Sequence, residues 1–132
     1  MGMPRLLFVC AGNADRSQMA EGFARFHGGY QVEALSAGAD PVGHLSKRAI
    51  EAMAELGIDI GSQFPRPLDH ITGEFDAVVT MGCGDACPWM PAKQFIDWQI
   101  PDPKHMEPAE FNKVRDYIKG LVSDLLTSLD SK

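Results

Sequence analysis

The sequence has few cysteines, few basic residues and no long apolar run. Only three of its 132 residues are cysteine, so a framework of structural disulfides is not expected. No apolar stretch is long enough to cross a bilayer, and the first residues show no secretory pattern. Twelve basic residues against 18 acidic ones give a net charge of −6, which argues against a nucleic-acid or anionic-membrane partner. We therefore expect a cytoplasmic protein whose thiols are kept reduced.

Length and composition predict one globular domain spanning residues 1–132. The chain is 45% hydrophobic and 23% charged, and it is long enough to form a core without crosslinks. Repeats, low-complexity tracts and interdomain linkers are absent from the sequence. No cofactor is expected. In a reducing compartment, the cysteines point to chemistry or metal binding rather than to crosslinks.

Hydrophobic periodicity predicts that strands and helices alternate. Apolar runs of strand length cover residues 6–10, 32–36, 75–81 and 94–98. Helical spacing covers residues 17–26, 47–56 and 108–129, with Ser46 as the N-cap of the second helix. This order predicts an α/β fold, a three-layer, four-stranded parallel sheet with helices on both faces.

The most informative stretch is the loop between the first strand and the first helix, Cys10-Ala11-Gly12-Asn13-Ala14-Asp15-Arg16-Ser17. Gly12 and Asn13 allow backbone angles that turn N–H groups inward, and the helix start adds unpaired N–H donors and a positive dipole end. Arg16 supplies a planar fork that matches two anion oxygens. The same field favours the thiolate of Cys10. We therefore predict that residues 11–17 bind a tetrahedral oxyanion and that Cys10 is the nucleophile.

The alternative is that Cys10 is a buried strand-end residue and Arg16 a surface charge, since this spacing also occurs by chance. The strand-to-helix context with Gly, Asn and Ser in the loop favours the functional interpretation. Asp15 does not suit a loop for anions. At about 5 Å from a bound oxyanion its carboxylate would cost on the order of 3 kcal/mol at an effective dielectric of 20. We therefore predict that Asp15 points outward to solvent.

The other two cysteines, Cys83 and Cys87, follow the third predicted strand. Loops at the carboxyl ends of neighbouring parallel strands share one edge of the sheet, so Cys83 can approach Cys10 if the first and third strands are adjacent. Gly82 and Gly84 flank Cys83 and allow it to move. Cys83 and Cys87 can close a disulfide, which favours a relay of oxidising equivalents. Three alternatives remain open, namely inert core residues, a zinc site, or a redox sensor without a substrate.

Asp102 is a candidate general acid. It lies between Pro101 and Pro103, which stiffen its backbone and allow the carboxylate to be aimed at one point. A general acid above the anion loop needs such placement, and we predict that role for Asp102. The alternative is an ordinary turn aspartate.

Together these residues resemble a known family. The stretch from Cys10 to Glu21, the Ser36-Ala37-Gly38 segment and the Asp102-Pro103 pair look like the low-molecular-weight phosphotyrosine phosphatase superfamily. Cys83 and Cys87 make its thiol-dependent, thioredoxin-coupled arsenate reductases the branch that this sequence most resembles. Lys104 and His105 stand where phosphatases of this fold often carry aromatic residues.

The resemblance implies the fold of that superfamily and the reduction of arsenate to arsenite in arsenic detoxification. Arsenate, or phosphate or sulfate as a mimic, would occupy the loop, Cys10 would attack arsenic, and Asp102 would protonate the departing oxygen. Cys83 would then form a disulfide with Cys10, and Cys87 would move it to Cys83–Cys87 for thioredoxin or another thiol reductant. The alternatives are a phosphatase of the same fold, needing only Cys10, Arg16 and Asp102, and a non-enzymatic oxyanion or redox sensor.

Overall fold

The structure is a computed structural model that describes residues 3–82 and 92–130. Within these residues the strands are β1 Arg5–Cys10, β2 Glu33–Gly38, β3 Phe75–Thr80 and β4 Ala92–Asp97. The helices are α1 Arg16–Gly28, α2 Lys47–Ala54 and α3 Pro108–Asp130, with short 3-10 turns at Gly29–Gln31 and Leu68–His70. None of the helices in the described part of the chain is both long and apolar enough to cross a membrane.

All four strands are parallel and lie in the order β2-β1-β3-β4. Leu7 in the middle of β1 pairs with Leu35 on one side and with Val78 on the other. The predicted four-stranded parallel α/β sheet is therefore confirmed. The first and third strands are adjacent, which is the condition under which Cys83 could approach Cys10. Because parallel strands end at the same edge of a sheet, the loops after β1 and β3 leave side by side.

The core lies on both faces of the sheet. Leu6 and Phe8 of β1 are fully buried on the face that packs against the helices, in a cluster that also contains Met19, Phe23, Ala49, Met53, Phe111 and Ile118. On the other face, Leu7 and Val9 belong to a smaller cluster against which Leu68 and Ile71, from the second 3-10 turn and its C-cap, are packed. Successive residues of a strand point to opposite faces, so coverage of both faces explains the continuous apolar run of β1.

Each observed element differs from its predicted range by one or two residues at one end or both, and two of these differences have a clear physical cause. β2 extends to Gly38 rather than to residue 36, because its last two residues pair with the end of β1. α2 ends at Ala54 rather than at residue 56, because the chain turns there toward Gly57, whose φ of 78° lies in the left-handed region. The predicted N-cap of α2 is confirmed, since the Oγ of Ser46 accepts a hydrogen bond from the backbone N–H of Ala49 at 3.2 Å.

Gly38, at the end of β2, packs directly against the loop that follows β1. A Cβ built on Gly38 would lie 2.7 Å from the carbonyl oxygen of Ala11 and 2.9 Å from the Cβ of Asn13. The backbone N–H of Gly38 donates to the carbonyl of Arg66 at 2.8 Å, so Gly38 is also fixed from its other side. The missing side chain therefore allows the loop to lie close to the edge of the sheet.

We predict that Gly38→Ala destabilises the protein by about 1–3 kcal/mol, since backbone atoms of the loop must move to accept the methyl group. Gly120→Ala, in α3, is the matched control. Among the described residues, no atom outside the backbone of its own helix lies within 4 Å of a Cβ built there, so this variant should be more stable by about 0.5–1 kcal/mol. Urea unfolding of both variants measures these changes, and equal stability of Gly38→Ala and the parent protein would contradict the prediction.

Candidate active site

The loop after β1 places the thiol of Cys10 beside the first turn of α1. Cys10 is buried, and its Sγ lies 2.8 Å from the Oγ of Ser17. The side-chain amide of Asn13 donates to the same Oγ at 2.8 Å. Because that hydroxyl already accepts a hydrogen bond, its own proton is free to be donated to the sulfur when Cys10 is a thiolate. Ser17, which was predicted only as part of the oxyanion-binding loop, therefore contacts the Cys10 sulfur directly, and Asn13 orients the pair.

Asn13 also gives the loop its shape. Its φ of 52° is left-handed, and among the described residues it is the one non-glycine residue in that region. Its Oδ1 accepts from the backbone N–H of Arg66 at 2.8 Å, and its carbonyl accepts from the side-chain amide of Gln18 at 3.0 Å. The unusual backbone angle therefore falls on Asn13 and not on Gly12, and contacts from outside the loop hold it in place.

Arg16 is oriented by main-chain carbonyl groups at the edge of the sheet. Its Nη1 donates to the carbonyl of Met81 at 2.8 Å and to that of Ile100 at 3.2 Å. Gly82 leaves room for it, since a Cβ there would lie 2.8 Å from Nη1 and the φ of Gly82 is 79°. With Nη1 engaged, the edge formed by Nε and Nη2 remains for a ligand. This is the edge that binds two oxyanion oxygens at once.

The Nε of Arg16 supports that assignment. Arg16 is 6% exposed, and its Nε is the one buried side-chain nitrogen or oxygen in the described part of the chain that has no hydrogen-bond partner. A buried donor without a partner costs about 1–3 kcal/mol, more when it belongs to a charged group. An oxyanion bound over Nε and Nη2 would remove that cost.

The prediction that Asp15 points outward to solvent is wrong. Asp15 is 9% exposed and is the N-cap of α1, where its Oδ1 accepts from the backbone N–H of Arg16 at 2.5 Å. Burial is the main cause that raises the pKa of Asp15, and the nearby carboxylate of Asp102 adds to it. Repulsion from a bound anion does not by itself decide the position of this side chain, because the capping bond draws an aspartate inward at the start of a helix.

Asp102 lies at the mouth of the site. Its Oδ2 is 3.8 Å from the Nη2 of Arg16, and its side chain is 55% exposed. The backbone N–H of Lys104 donates to its Oδ1 at 3.1 Å, which fixes the turn after the first proline. The carboxyl group therefore reaches both the guanidinium and the solvent from which it can be reprotonated.

These side chains line one cavity of about 520 Å³. Of the predicted site residues, it contains Cys10, Ala11, Gly12, Ala14, Asp15, Arg16 and Asp102. Asn13 and Ser17 support it from behind. Sequence reasoning missed three lining residues with basic side chains, namely His44, Arg48 and Lys104. Lys104 was noted only as a departure from phosphatases, and no local pattern distinguishes His44 or Arg48, since the chain crossovers bring them to the cavity.

Cys83 and Cys87 lie outside the described residues. The chain leading to them is described as far as Gly82, where Met81 donates its backbone N–H to the carbonyl of Val9 at 2.8 Å. The carbonyl of Met81 is one of the two that accept hydrogen bonds from Arg16. The residue before Cys83 is therefore adjacent to the guanidinium of the anion loop.

Two other residues of the motifs serve the fold and not the cavity. Ser36 on β2 donates to the Oε1 of Glu21 on α1 at 2.6 Å, and Arg25 contacts the Oε2 of Glu21 at 2.7 Å. Glu21 is only 2% exposed, so a paired and hydrogen-bonded carboxylate ties α1 to β2.

Comparison with known proteins identifies the family to which the chain belongs. A family model described as low molecular weight phosphotyrosine protein phosphatase matches residues 5–132. The chain belongs to this family. Its similarity to other members extends over almost the full length, since relatives named arsenate reductase are 35–41% identical to it.

Three known proteins illustrate how similar this chain is to others in sequence and in fold. The glutaredoxin arsenate reductase of Synechocystis is 35% identical, over 96% of this chain and 99% of that protein. A solved arsenate reductase in a phosphate-binding state is 35% identical, with a TM-score of 0.89 over 96% of this chain and 98% of that one. The thioredoxin-dependent arsenate reductase of Corynebacterium glutamicum is also 35% identical, with a TM-score of 0.82 over 97% of this chain and 62% of that one.

We predict that Arg16→Lys weakens phosphate binding to this family member by roughly 10- to 100-fold. Lysine keeps the charge but loses the planar fork and the Nη1 bonds that orient it. Isothermal titration with phosphate at fixed ionic strength measures the change. Arg66→Lys is the control, because the Arg66 side chain lies over the ring of Phe64 and does not line the cavity. Equal losses in both variants would contradict the assignment of Arg16.

Proposed function

We propose that this protein is an arsenate reductase that converts arsenate to arsenite and so detoxifies arsenic. One observation carries the proposal: the buried Nε of Arg16 has no hydrogen-bond partner among the described residues, and Arg16 lines the same cavity as Cys10. A nucleophile beside fixed donors that can bind an anion is what attack on a tetrahedral oxyanion requires. The family members described above, several of them named arsenate reductases, support this choice of oxyanion.

The first chemical step uses the residues around the loop. Arsenate binds over the free edge of Arg16 and the backbone N–H groups of the loop, and the Cys10 thiolate attacks arsenic. Asp102 donates a proton to the departing oxygen, which leaves as water. The 3.8 Å between Asp102 and Arg16 supports this role, because both groups then contact the same oxyanion. The hydroxyl of Ser17, 2.8 Å from the sulfur, stabilises the thiolate before attack.

The second step moves two electrons. Cys83 attacks the sulfur of Cys10, arsenic leaves as arsenite, and a Cys10–Cys83 disulfide forms, so that two thiols are oxidised as As(V) becomes As(III). Cys87 then attacks Cys83 and leaves a Cys83–Cys87 disulfide, which an external dithiol reduces. The short connection from Arg16 through Met81 and Gly82 to Cys83 supports the first of these transfers.

The proposal also covers the electron donor that reduces the enzyme and the cell compartment in which it works. Two relay thiols favour a thioredoxin-type dithiol as the reductant in the cytoplasm. One relative is named for glutaredoxin and a solved neighbour for thioredoxin dependence, so both donor classes occur within the family. Turnover with thioredoxin, thioredoxin reductase and NADPH, compared with glutathione and glutaredoxin, identifies the donor.

Hydrolysis of a phosphate ester is the second candidate, because the family description names it and Cys10, Arg16 and Asp102 suffice for it. A phosphatase would leave Cys83 and Cys87 without a role in turnover. Thiols do not reduce phosphorus(V) under these conditions, so phosphate binds to the same cavity without being reduced. The two candidates therefore differ in their dependence on the late cysteines.

We predict that Cys83→Ser abolishes multiple turnovers of arsenate with the thioredoxin system but still releases up to one arsenite per enzyme when a small thiol is added. Cys10→Ser should release none, since the arsenic–sulfur bond cannot form. Arsenite is counted by speciation chromatography. If Cys83→Ser keeps full arsenate turnover, the relay is wrong. Full activity on an aryl phosphate together with no arsenate turnover in the parent protein would instead favour the phosphatase.

A single turnover without reductant tests the order of the thiol exchanges. Mass mapping after one equivalent of arsenate should find Cys83–Cys87 in the parent protein and Cys10–Cys83 in Cys87→Ser. A Cys10–Cys87 disulfide in the Cys83→Ser variant as the main product would show that the order of attack is reversed.

A further inference from the structure

Two carboxyl groups flank the edge of Arg16 that remains for a ligand. The Oδ1 of Asp15 lies 3.7 Å from Nε, and the Oδ2 of Asp102 lies 3.8 Å from Nη2. A ligand that binds across Nε and Nη2 therefore has one carboxyl group at each end. In the proposed reaction Asp102 acts as the general acid, whereas Asp15 has no role.

The negatively charged groups around this edge of Arg16 oppose the binding of an anion. With Cys10 as a thiolate and both carboxyl groups ionised, three negative groups surround the guanidinium of Arg16. The other charged or titratable side chains lining the cavity are His44, Arg48 and Lys104. Arg48 donates to the carbonyl of Met106 and lies over the ring of Phe111, so part of its guanidinium is engaged away from the loop. Arsenate or phosphate brings one or two further negative charges.

Asp15 and Asp102 differ in their exposure to water. The side chain of Asp15 is 12% exposed and that of Asp102 is 55% exposed. Water screens the charge on Asp102, whereas the charge on Asp15 acts at close range and in a poorly solvated place. Burial and the neighbouring Asp102 carboxylate both raise the pKa of Asp15, against the bond from the Arg16 N–H and the charges of Arg16 and Lys104.

We propose that Asp15 couples binding of the oxyanion to uptake of a proton. When the anion arrives, Asp15 takes a proton from water and becomes neutral. Its Oδ1 keeps the capping bond from the Arg16 N–H, and its Oδ2, which makes no hydrogen bond with the described residues, can donate the new proton to an oxygen of the anion. The complex of protein and oxyanion therefore carries one proton more than the free protein and the free oxyanion carry together.

This inference rests on the proposed function only for the identity of the anion, so the test uses inorganic phosphate and does not require turnover. Asp15→Asn keeps the shape and the cap, because asparagine is an equally good N-cap, and it removes the charge. Asp124→Asn, on an exposed position of α3, is the matched control for loss of one negative charge. Circular dichroism melts of all three proteins confirm that they are folded.

We predict that Asp15→Asn binds phosphate at least about tenfold more tightly than the parent protein at pH 8, where Asp15 is ionised, and that Asp124→Asn does not. The ratio of the two dissociation constants should fall toward one as the pH is lowered, since Asp15 in the parent protein then becomes neutral. Taking the ratio at each pH cancels the titration of phosphate itself. Titration calorimetry in two buffers of different ionisation enthalpy should also find smaller proton uptake for Asp15→Asn.

A ratio of dissociation constants that stays near one at every pH would overturn the inference. So would an Asp15→Asn variant that binds phosphate more tightly by a factor that does not change with pH, with a proton uptake that does not change with pH either. These outcomes are separate from the fate of the proposed function. If the parent protein binds phosphate with the predicted pH dependence but never turns over arsenate, the reductase assignment fails and the role of Asp15 remains.

Discussion

The site depends on the two hydrogen bonds from the Nη1 of Arg16 to the carbonyls of Met81 and Ile100. A protein with a net charge of −6 repels anions on the whole, so attraction must come from a few fixed donors. A free arginine side chain would hold its charge in many orientations. The two carbonyls restrict it to one, and the orientation that remains presents Nε and Nη2 to the cavity beside Cys10.

The same two bonds explain constraints elsewhere in the chain. Met81 follows β3 and Ile100 follows β4, so Arg16, the first residue of α1, joins the helix to the ends of two strands. Gly82 has to lack a side chain because Nη1 occupies that space, and Gly38 has to lack one because the anion loop lies there. Parallel strands make this possible, since all of their carboxyl ends reach the same edge of the sheet.

Much of this arrangement is encoded locally and was therefore predictable. The apolar run of β1, the helical spacing after Ser17 and the Gly-Asn pair identify the loop without reference to any other part of the chain. The position of Asp15 was predicted wrongly because repulsion from an anion was weighed without the bond to the Arg16 N–H. His44 and Arg48 were missed for a different reason. Their contribution depends on how the connection from β2 to β3 folds over the loop, and no short pattern records that.

Binding and reduction are separable functions in this architecture. In the proposed mechanism, the loop of residues 10–17 binds a tetrahedral oxyanion by its shape and charge, which phosphate and arsenate share, so the pocket by itself does not choose between hydrolysis and reduction. That choice depends on whether a second thiol reaches the sulfur of Cys10 before water attacks the intermediate. One of the two carbonyls that orient Arg16 belongs to Met81, two residues before Cys83. The segment that carries the proposed resolving thiol therefore begins at a residue whose carbonyl orients Arg16. A change in the position of Met81 would alter both the orientation of Arg16 and the start of that segment.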